Sequence, residues 1–469
     1  MPARTEAEIA VVGGGTAGAV VAARLAAAGR DVLLIEAGPD YGPAGDGRWP
    51  ADLLDATTLP TSHDWGYRTT GAGGGELVLD RARVIGGCST HNGCTQNWGW
   101  RGDYDAWGAH SAGWSSHDLE PAFERARAAM RLRHYAPDEI QPFQAAFLEA
   151  CGATGHRLAD DLDDLDGVAG AGCSPVNIAG GVRWNTAFAY LDPVRDRLRI
   201  LDRTEVERIE LPTRIRARSP GGPVEIHAGE IVLAGGAYGT PELLLRSGIG
   251  AAHALPGVGR GLQEHAAIQL EFDGTPELAA RLAAFAGDRW LPEEQAILKL
   301  ASPGCDGPYD LHVYPWIEQD ATAPHTWKCV FPVALVAPRS RGAVGSRIDH
   351  RYLSDPADLQ ALVDGVAAVR EIIAHPSLAP LLGTPRAVPP EDDPHAYIRE
   401  HHAHYWHPGA SCPMGPDPAQ GAVVDERARL HGLPAIRIAD ASIFPAIPRA
   451  TTAMPTTVVG ERVAELMSG

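Results

Sequence analysis

The spacing of apolar residues changes from one part of the chain to the next. Near the start, Ile9 to Val12 form an unbroken apolar run, and "DVLLIE" supplies another that ends in Glu36. Short continuous runs of this kind suit strands buried on both faces of a parallel sheet. Between them, "GGGTAGAVVAARLAAAG" reads as a glycine turn and an alanine-rich helix that Gly29 terminates. Further on, "EIVLAGGAYGTPELLLRSGIG" (230–250) repeats the pattern of strand, small residues and helix. There Thr240 and Pro241 predict the helix start, because Thr is an acceptable cap and Pro suits a first turn.

The region 266–404 is patterned differently. In "PYDLHVYPWIEQ" (308–319), Asp310, His312, Tyr314, Trp316 and Glu318 share one face, and Leu311, Val313, Pro315 and Ile317 the other. Period two predicts a strand with one buried face. Its polar-aromatic face is expected to look to solvent, with a surface for sugars, polyols or aromatic alcohols as the alternative. "WKCVFPVALVAP" (327–338) predicts the neighbouring strand, and "RSRGAVGSRIDHRYL" the next turn and strand. His325 lies on the loop between the first two of these strands, within reach of a site but with no motif behind it.

Bulk composition narrows the picture. A chain of 469 residues exceeds one hydrophobic core, so two domains, or one with an inserted cap, are expected. A net charge of -19 argues against a nucleic-acid partner, since phosphate binding needs clustered Lys and Arg. The seven cysteines are odd in number and include no C-x-x-C pair, which fits reduced thiols and a cytoplasmic location better than a disulfide framework. No apolar run reaches membrane-spanning length, and the polar start passes into a strand too early for a signal peptide.

The first helix carries the first chemistry. Gly13, Gly15 and Gly18 fit G-x-G-x-x-G, with Thr16 inside the motif and Glu36 where a carboxylate would bind ribose hydroxyls. Such glycines let a pyrophosphate approach the helix N-terminus, whose N–H groups favour anions. The motif alone does not separate FAD from NAD. The second strand–helix signal, some two hundred residues later, implies a nucleotide domain interrupted by other material, and that layout favours FAD.

Several further segments, in one order, resemble the glucose–methanol–choline (GMC) oxidoreductase family. They are "VVGGGTAGAVVAARL", "RARVIGGCSTHN" (81–92), "GAYGTPELLLRSGIG", "LPGVGRGLQEH" (255–265), "HPGASCPMG" (407–415), "GLPAIRIADASIFPAIP" (432–448) and "TTVVGERVAEL". The resemblance implies an α/β chain, α+β overall, with a Rossmann-type FAD domain and a substrate domain on an antiparallel sheet. The FAD domain is expected at 1–140, 165–265 and 405–469, the substrate domain at 266–404, and a connecting segment at 141–164. It also implies alcohol oxidation, with hydride passing to flavin N5 while a base takes the hydroxyl proton. O2 or another acceptor then removes the electrons. Besides the glycine motif and Glu36, the mapping assigns Arg83, Gly86, Gly87 and Asn92 to the cofactor. Val206, Asp440, Ala441 and Thr456 join them.

The loop "GGCSTHN" looks like the choline oxidase branch, in which a histidine here bonds covalently to the flavin. His91 is therefore the expected link, with non-covalent stacking as the alternative; the loop also favours an oxidase over a dehydrogenase. In "REHHAHYWHPGASCPMG" (399–415) His401, His404, His407 and Cys412 are of metal-ligating type, but no second cluster or carboxylate pair accompanies them, and no metal site is expected. His407 maps to the base beside flavin N5. Thr451, in "PRATTAMPTT", stands where the family places its second catalytic group, and Ala453 where it places an asparagine. Thr451 can share one hydrogen bond but cannot be a base. Gly93 removes a hydroxyl that choline oxidase-like sequences carry, and no aromatic-plus-carboxylate set for a quaternary ammonium is apparent. A choline-like amino alcohol and a non-redox lyase activity on the same scaffold are the alternative readings.

Overall fold

The computed structural model describes residues 3–162, 165–166, 169–287, 291–292, 294–320, 323 and 326–468; His325 lies outside them. The apolar run at Ile9–Val12 ends a longer strand, Ala3–Val12, which pairs in parallel with Val32–Ile35 and with Gly222–Leu233. Arg199–Leu201 and Leu433–Ile438 extend this sheet in parallel at its two sides. Glu205–Glu210 and Arg214–Ser219 add an antiparallel meander on Gly222–Leu233. Helices Thr16–Ala27 and Ala453–Ser468 pack together on this unit, pinned where Arg24 donates to the buried Glu461 carboxylate at 2.7 Å.

A second eight-stranded sheet is antiparallel throughout its paired strands. Ala266–Gly274 pairs with Trp327–Leu335, and Leu311–Val313, Ala296–Leu300 and Gly170–Cys173 continue it. Helices Pro142–Ala153 and Pro356–Ile373 share one apolar core with this sheet, centred on Phe143, Phe147, Phe331 and Leu362. Each such side chain contributes about 1.5–3 kcal/mol by leaving water. Residues 142–153 and 170–173 therefore lie with the second sheet, not with the connecting and FAD segments expected for them. Both stretches are apolar enough to join either core, and only the strand pairing assigns them.

Three local expectations change. The 308–319 stretch is two strands, Leu311–Val313 and Trp316–Gln319, both paired with Trp327–Leu335. Pro315, without an N–H for the ladder, stands in the break, and its carbonyl accepts from Gln144 at 2.8 Å. Nor does the polar face look to solvent: Asp310, His312 and Tyr314 are all buried. The predicted helix start at Thr240 moves to Gly236. Pro241 lies inside that helix, and the Ala237 carbonyl it cannot serve accepts from the Ser411 hydroxyl at 2.6 Å. Finally, Gly342–Val344 and Ile348–Asp349 form a hairpin on Arg260–Leu262, apart from the large sheets. Among the described residues no helix is long and apolar enough to cross a membrane.

Candidate active site

The glycine motif is shaped by contact. A Cβ on Gly18 would lie 1.9 Å from the Gly13 carbonyl oxygen, and one on Gly13, at φ +100°, 2.4 Å from that of Ala234. No side chain caps the helix that follows, so its first N–H groups are left for an anion. Glu36 ends its strand buried, one oxygen accepting from Gly14 N–H at 2.7 Å and the other from Gly38 N–H at 2.6 Å. Gly86 N–H donates to Gly14 O at 2.7 Å, and Gly87 packs on Gly15, locking the second glycine loop to the first. Thr16 opens the helix at this junction.

The other expected cofactor residues are placed by their contacts within the chain. Arg83 pairs with Glu205 at 2.7 Å, next to Val206, whose carbonyl accepts from Arg246. Asp440 accepts from Gly236 N–H, the Thr240 hydroxyl and Ser442 N–H, so its carboxylate ties two strand ends together. Ala441 follows it, buried, and Thr456 stands in the first turn of the closing helix.

The loop beyond holds polar atoms with nothing from the chain to bond. His91 Nε2, Asn92 Nδ2 and both amide atoms of Asn97 are buried without a partner. Burial lowers the His91 pKa to about 4, so its ring is neutral at pH 7. Buried orphans are rare in folded chains, and a set of them beside two glycine loops fits a polar-edged planar group such as a flavin.

His407 follows Trp406, a non-glycine residue at φ +61°, whose carbonyl is held by Arg81 at 3.0 Å. Its main-chain N–H donates to Glu264 at 2.7 Å, and its Nδ1 meets His265 Nδ1 at 2.9 Å. The ring is held from behind, half-buried, which leaves Nε2 for a ligand. Burial first, then His265, Arg81, His312 and His404, hold its pKa well below the ordinary value; it is a neutral base at pH 7. Burial likewise lowers His265 to about 3. Glu264, despite Arg81, is pushed up to about 8 by burial and is a neutral acid at pH 7. Behind these, His312 is buried with both ring nitrogens unpartnered.

Thr451 is close by but otherwise engaged. Its hydroxyl donates to Thr95 O at 3.2 Å and accepts from Asn97 N–H at 3.1 Å. One hydroxyl has one hydrogen to give, and here the backbone takes it. Both of these hydrogen bonds tie Thr451 to the backbone of the 95–97 segment.

A different group stands beside Gly93. A Cβ there would lie 1.8 Å from Glu294 Oε1, so the carboxylate sits on the glycine, two residues from His91. Tyr135, Tyr314 and Tyr405 all feel its charge. The Tyr405 ring lies 4.8 Å from that of His407, and Tyr314 is hydrogen-bonded to Thr95. Glu294 thus lies near three tyrosines from different parts of the chain. The strand pattern hid this, since Glu294 and the tyrosines come from separate segments. His265 had a signal, the "GRGLQEH" stretch, without an assigned role; His312 was visible only as one of five polar residues on a strand face.

The histidines of 399–415 face different ways: His401 is exposed, His402 accepts from Ala72 N–H at 2.8 Å, and His404 packs against Trp406. Among the described residues no three His, Cys, Asp or Glu side chains converge as a metal site would require. All seven cysteines are free.

Comparison with known proteins gives a consistent set of likenesses. The N-terminal family model described as GMC oxidoreductase matches residues 7–267, and its C-terminal counterpart 336–460. The chain is 30% identical to the oxygen-dependent choline dehydrogenase of Brucella anthropi, over 99% of this chain and 96% of that protein. Choline oxidase of Arthrobacter globiformis is 29% identical, over 98% and 94%. Among solved structures, pyridoxine 4-oxidase from Mesorbium loti superposes with a TM-score of 0.84 at 26% identity, over 98% of both chains. A formate oxidase of Aspergillus oryzae also reaches 0.84, at 19% identity over 100% and 99%, a likeness of fold alone.

Proposed function

The chain belongs to the GMC oxidoreductase family, FAD-dependent enzymes acting on CH–OH donors, and from that premise we propose that it is an alcohol oxidase with His407 as its base. The observation that carries the reading is the way His407 is held: its main-chain N–H on Glu264 and its Nδ1 on His265, so that Nε2 is the ring nitrogen not engaged in either contact. The cradle of Gly13, Gly15, Gly18 and Glu36 would hold the dinucleotide, and the loop from Gly86 to Asn92, with its unpaired polar atoms, would receive the flavin. Bound FAD supplies the acceptor for hydride from the carbinol carbon. A neutral imidazole takes the hydroxyl proton at Nε2; because an alcohol is far less acidic than imidazolium, that transfer is coupled to loss of the hydride.

His91 is the attachment point in this reading. Its Nε2 is buried and without a partner and its ring is neutral at pH 7, as suits a nucleophile towards the cofactor's methyl edge. Joining them replaces one C–H and one N–H by a C–N bond, an oxidation whose two electrons O2 removes.

The substrate is a primary or secondary alcohol. The polar-aromatic strand face is compatible with sugars, polyols and aromatic alcohols; Glu294 near three tyrosines favours an alcohol bearing a positively charged nitrogen. Anaerobic mixing with panels of these alcohols tests the activity: flavin bleaching followed by peroxide on admitting air is expected. Flavin that stays oxidised throughout, with substrate consumed, would mean a non-redox reaction. Acid precipitation tests the link, with colour expected in the pellet of the wild type and in the supernatant for His91→Ala.

A further inference from the structure

We infer that His312 selects the substrate: its imidazole hydrogen-bonds an oxygen other than the one oxidised, so the preferred alcohols carry a second hydroxyl within a few bonds of the carbinol. This selectivity rests on the alcohol-oxidising reading of the same site and narrows the alcohols it admits.

The sheet register places the residue. Leu311 and Val313 turn into the core shared with Phe143 and Leu362, so His312 between them lies on the other face. Across the ladders it stands opposite Lys299 on one side and Ala334 on the other, and Ala334 in turn opposes Ala267. His265 comes two residues before Ala267 and shares that face. From the spacing of strands and of residues along them, His265 and His312 stand about 12 Å apart at their Cα atoms. Between them the row drops from an imidazole to two methyl groups. Tyr405 packs with those alanines, its ring 4.8 Å from that of His407.

Four buried polar atoms border this stretch without a partner: both ring nitrogens of His312, Nε2 of His265 and the hydroxyl of Tyr405. The His312 ring is fully buried and stacks on Tyr309, with centroids 5.6 Å apart at 28°. The Tyr309 hydroxyl donates to Arg449 O at 2.9 Å, so the imidazole is backed by a ring that is itself anchored. Burial, then Lys299 and His265, hold its pKa well below the ordinary value, and the ring is neutral. A neutral imidazole offers one N–H and one lone pair, and a hydroxyl, both donor and acceptor, complements it. The glycine loops belong to the parallel-sheet unit, whereas His312 stands on the antiparallel sheet with His265, the residue that holds His407. A molecule lying against His407 is therefore the one placed to complete His312.

Two matched pairs test this on the holoenzyme: benzyl alcohol with 2-hydroxybenzyl alcohol, and 2-aminoethanol with 2-amino-1,3-propanediol. Anaerobic flavin reduction gives kcat/KM, and calorimetry in a His407→Ala background gives Kd with turnover suppressed. The wild type is expected to favour the member with the extra hydroxyl in at least one pair, by about tenfold or more. His312→Leu should lower kcat/KM for that member about tenfold or more and leave its bare counterpart within about twofold, with flavin content unchanged. His312→Gln, whose amide both donates and accepts, should keep at least about a third of the preference. No preference in either pair, by rate or by Kd, would overturn the inference. So would a His312→Leu enzyme that loses both members equally or loses flavin, which would make the residue structural or a cofactor contact. Flavin that no alcohol reduces would sink the alcohol-oxidising reading alone, because the binding preference is measured without turnover.

Discussion

The two large sheets treat buried polar groups in opposite ways. Around the parallel sheet, Glu36 and Asp440 spend their carboxylate oxygens on main-chain N–H groups or a hydroxyl of the same chain. Where the antiparallel sheet faces that unit, polar atoms are buried and left unpaired: both nitrogens of His312, Nε2 of His265 and the hydroxyl of Tyr405. Leaving a buried donor or acceptor unmade costs about 1–3 kcal/mol each, so a chain keeps such groups where something else completes them. The first region is a finished cradle. The second is left incomplete by the chain itself.

Five substitutions probe that contrast, from the largest effect to the smallest. Gly18→Val drives a side chain into the Gly13 carbonyl, and the purified protein is expected to lose nearly all its flavin absorbance. Full flavin content would show that the cradle is not set by that contact. His407→Ala is expected to keep its flavin and reduce it about 10²–10⁴ times more slowly. Equal loss of flavin and rate would make the residue structural.

Glu294→Gln should lower kcat/KM about tenfold for alcohols with a cationic nitrogen and hardly at all for neutral ones of similar size. A uniform decrease would remove the carboxylate from substrate selection. Thr451→Ala should cost less than about tenfold in flavin reduction, because its hydroxyl serves Thr95 and Asn97, and about 1–3 kcal/mol of stability. A rate loss matching that of His407→Ala would restore it to the chemistry.

Glu264→Gln addresses pH. The carboxyl titrates near 8 in the folded chain against an ordinary 4.5, so folding tightens its proton. Its contribution is fully favourable below about 4.5 and is lost as pH rises towards 8. Gln has no proton to lose, so the variant's Tm relative to wild type should climb across that window and then level off. A difference independent of pH would place the carboxyl's titration elsewhere.

Much of the molecule is legible in one dimension because its constraints are local. The G-x-G-x-x-G turn needs small residues at fixed offsets, and Gly29 ends the helix at φ +84°, a conformation that glycine adopts without strain. His407 and His91 stood out because each sits in an unusual short motif. Thr451 was visible as a departure from pattern, yet its hydrogen bonds to Thr95 and Asn97 span more than 350 residues of chain, and no local signal carries them.

What the sequence by itself determined is the nucleotide unit, since spacing along the backbone fixes a glycine turn and a helix end; His91 and His407 are marked out only by the resemblance of the motifs that hold them. Only the tertiary structure decided which side chains meet at the reaction site. His265 and His407 come together across 142 positions, Glu294 settles on Gly93 from a distant segment, and a strand face that alternates as if for water is buried. Periodicity reports that a face is polar; what lies against that face is set by packing between distant segments, and alternation along one strand holds no record of it.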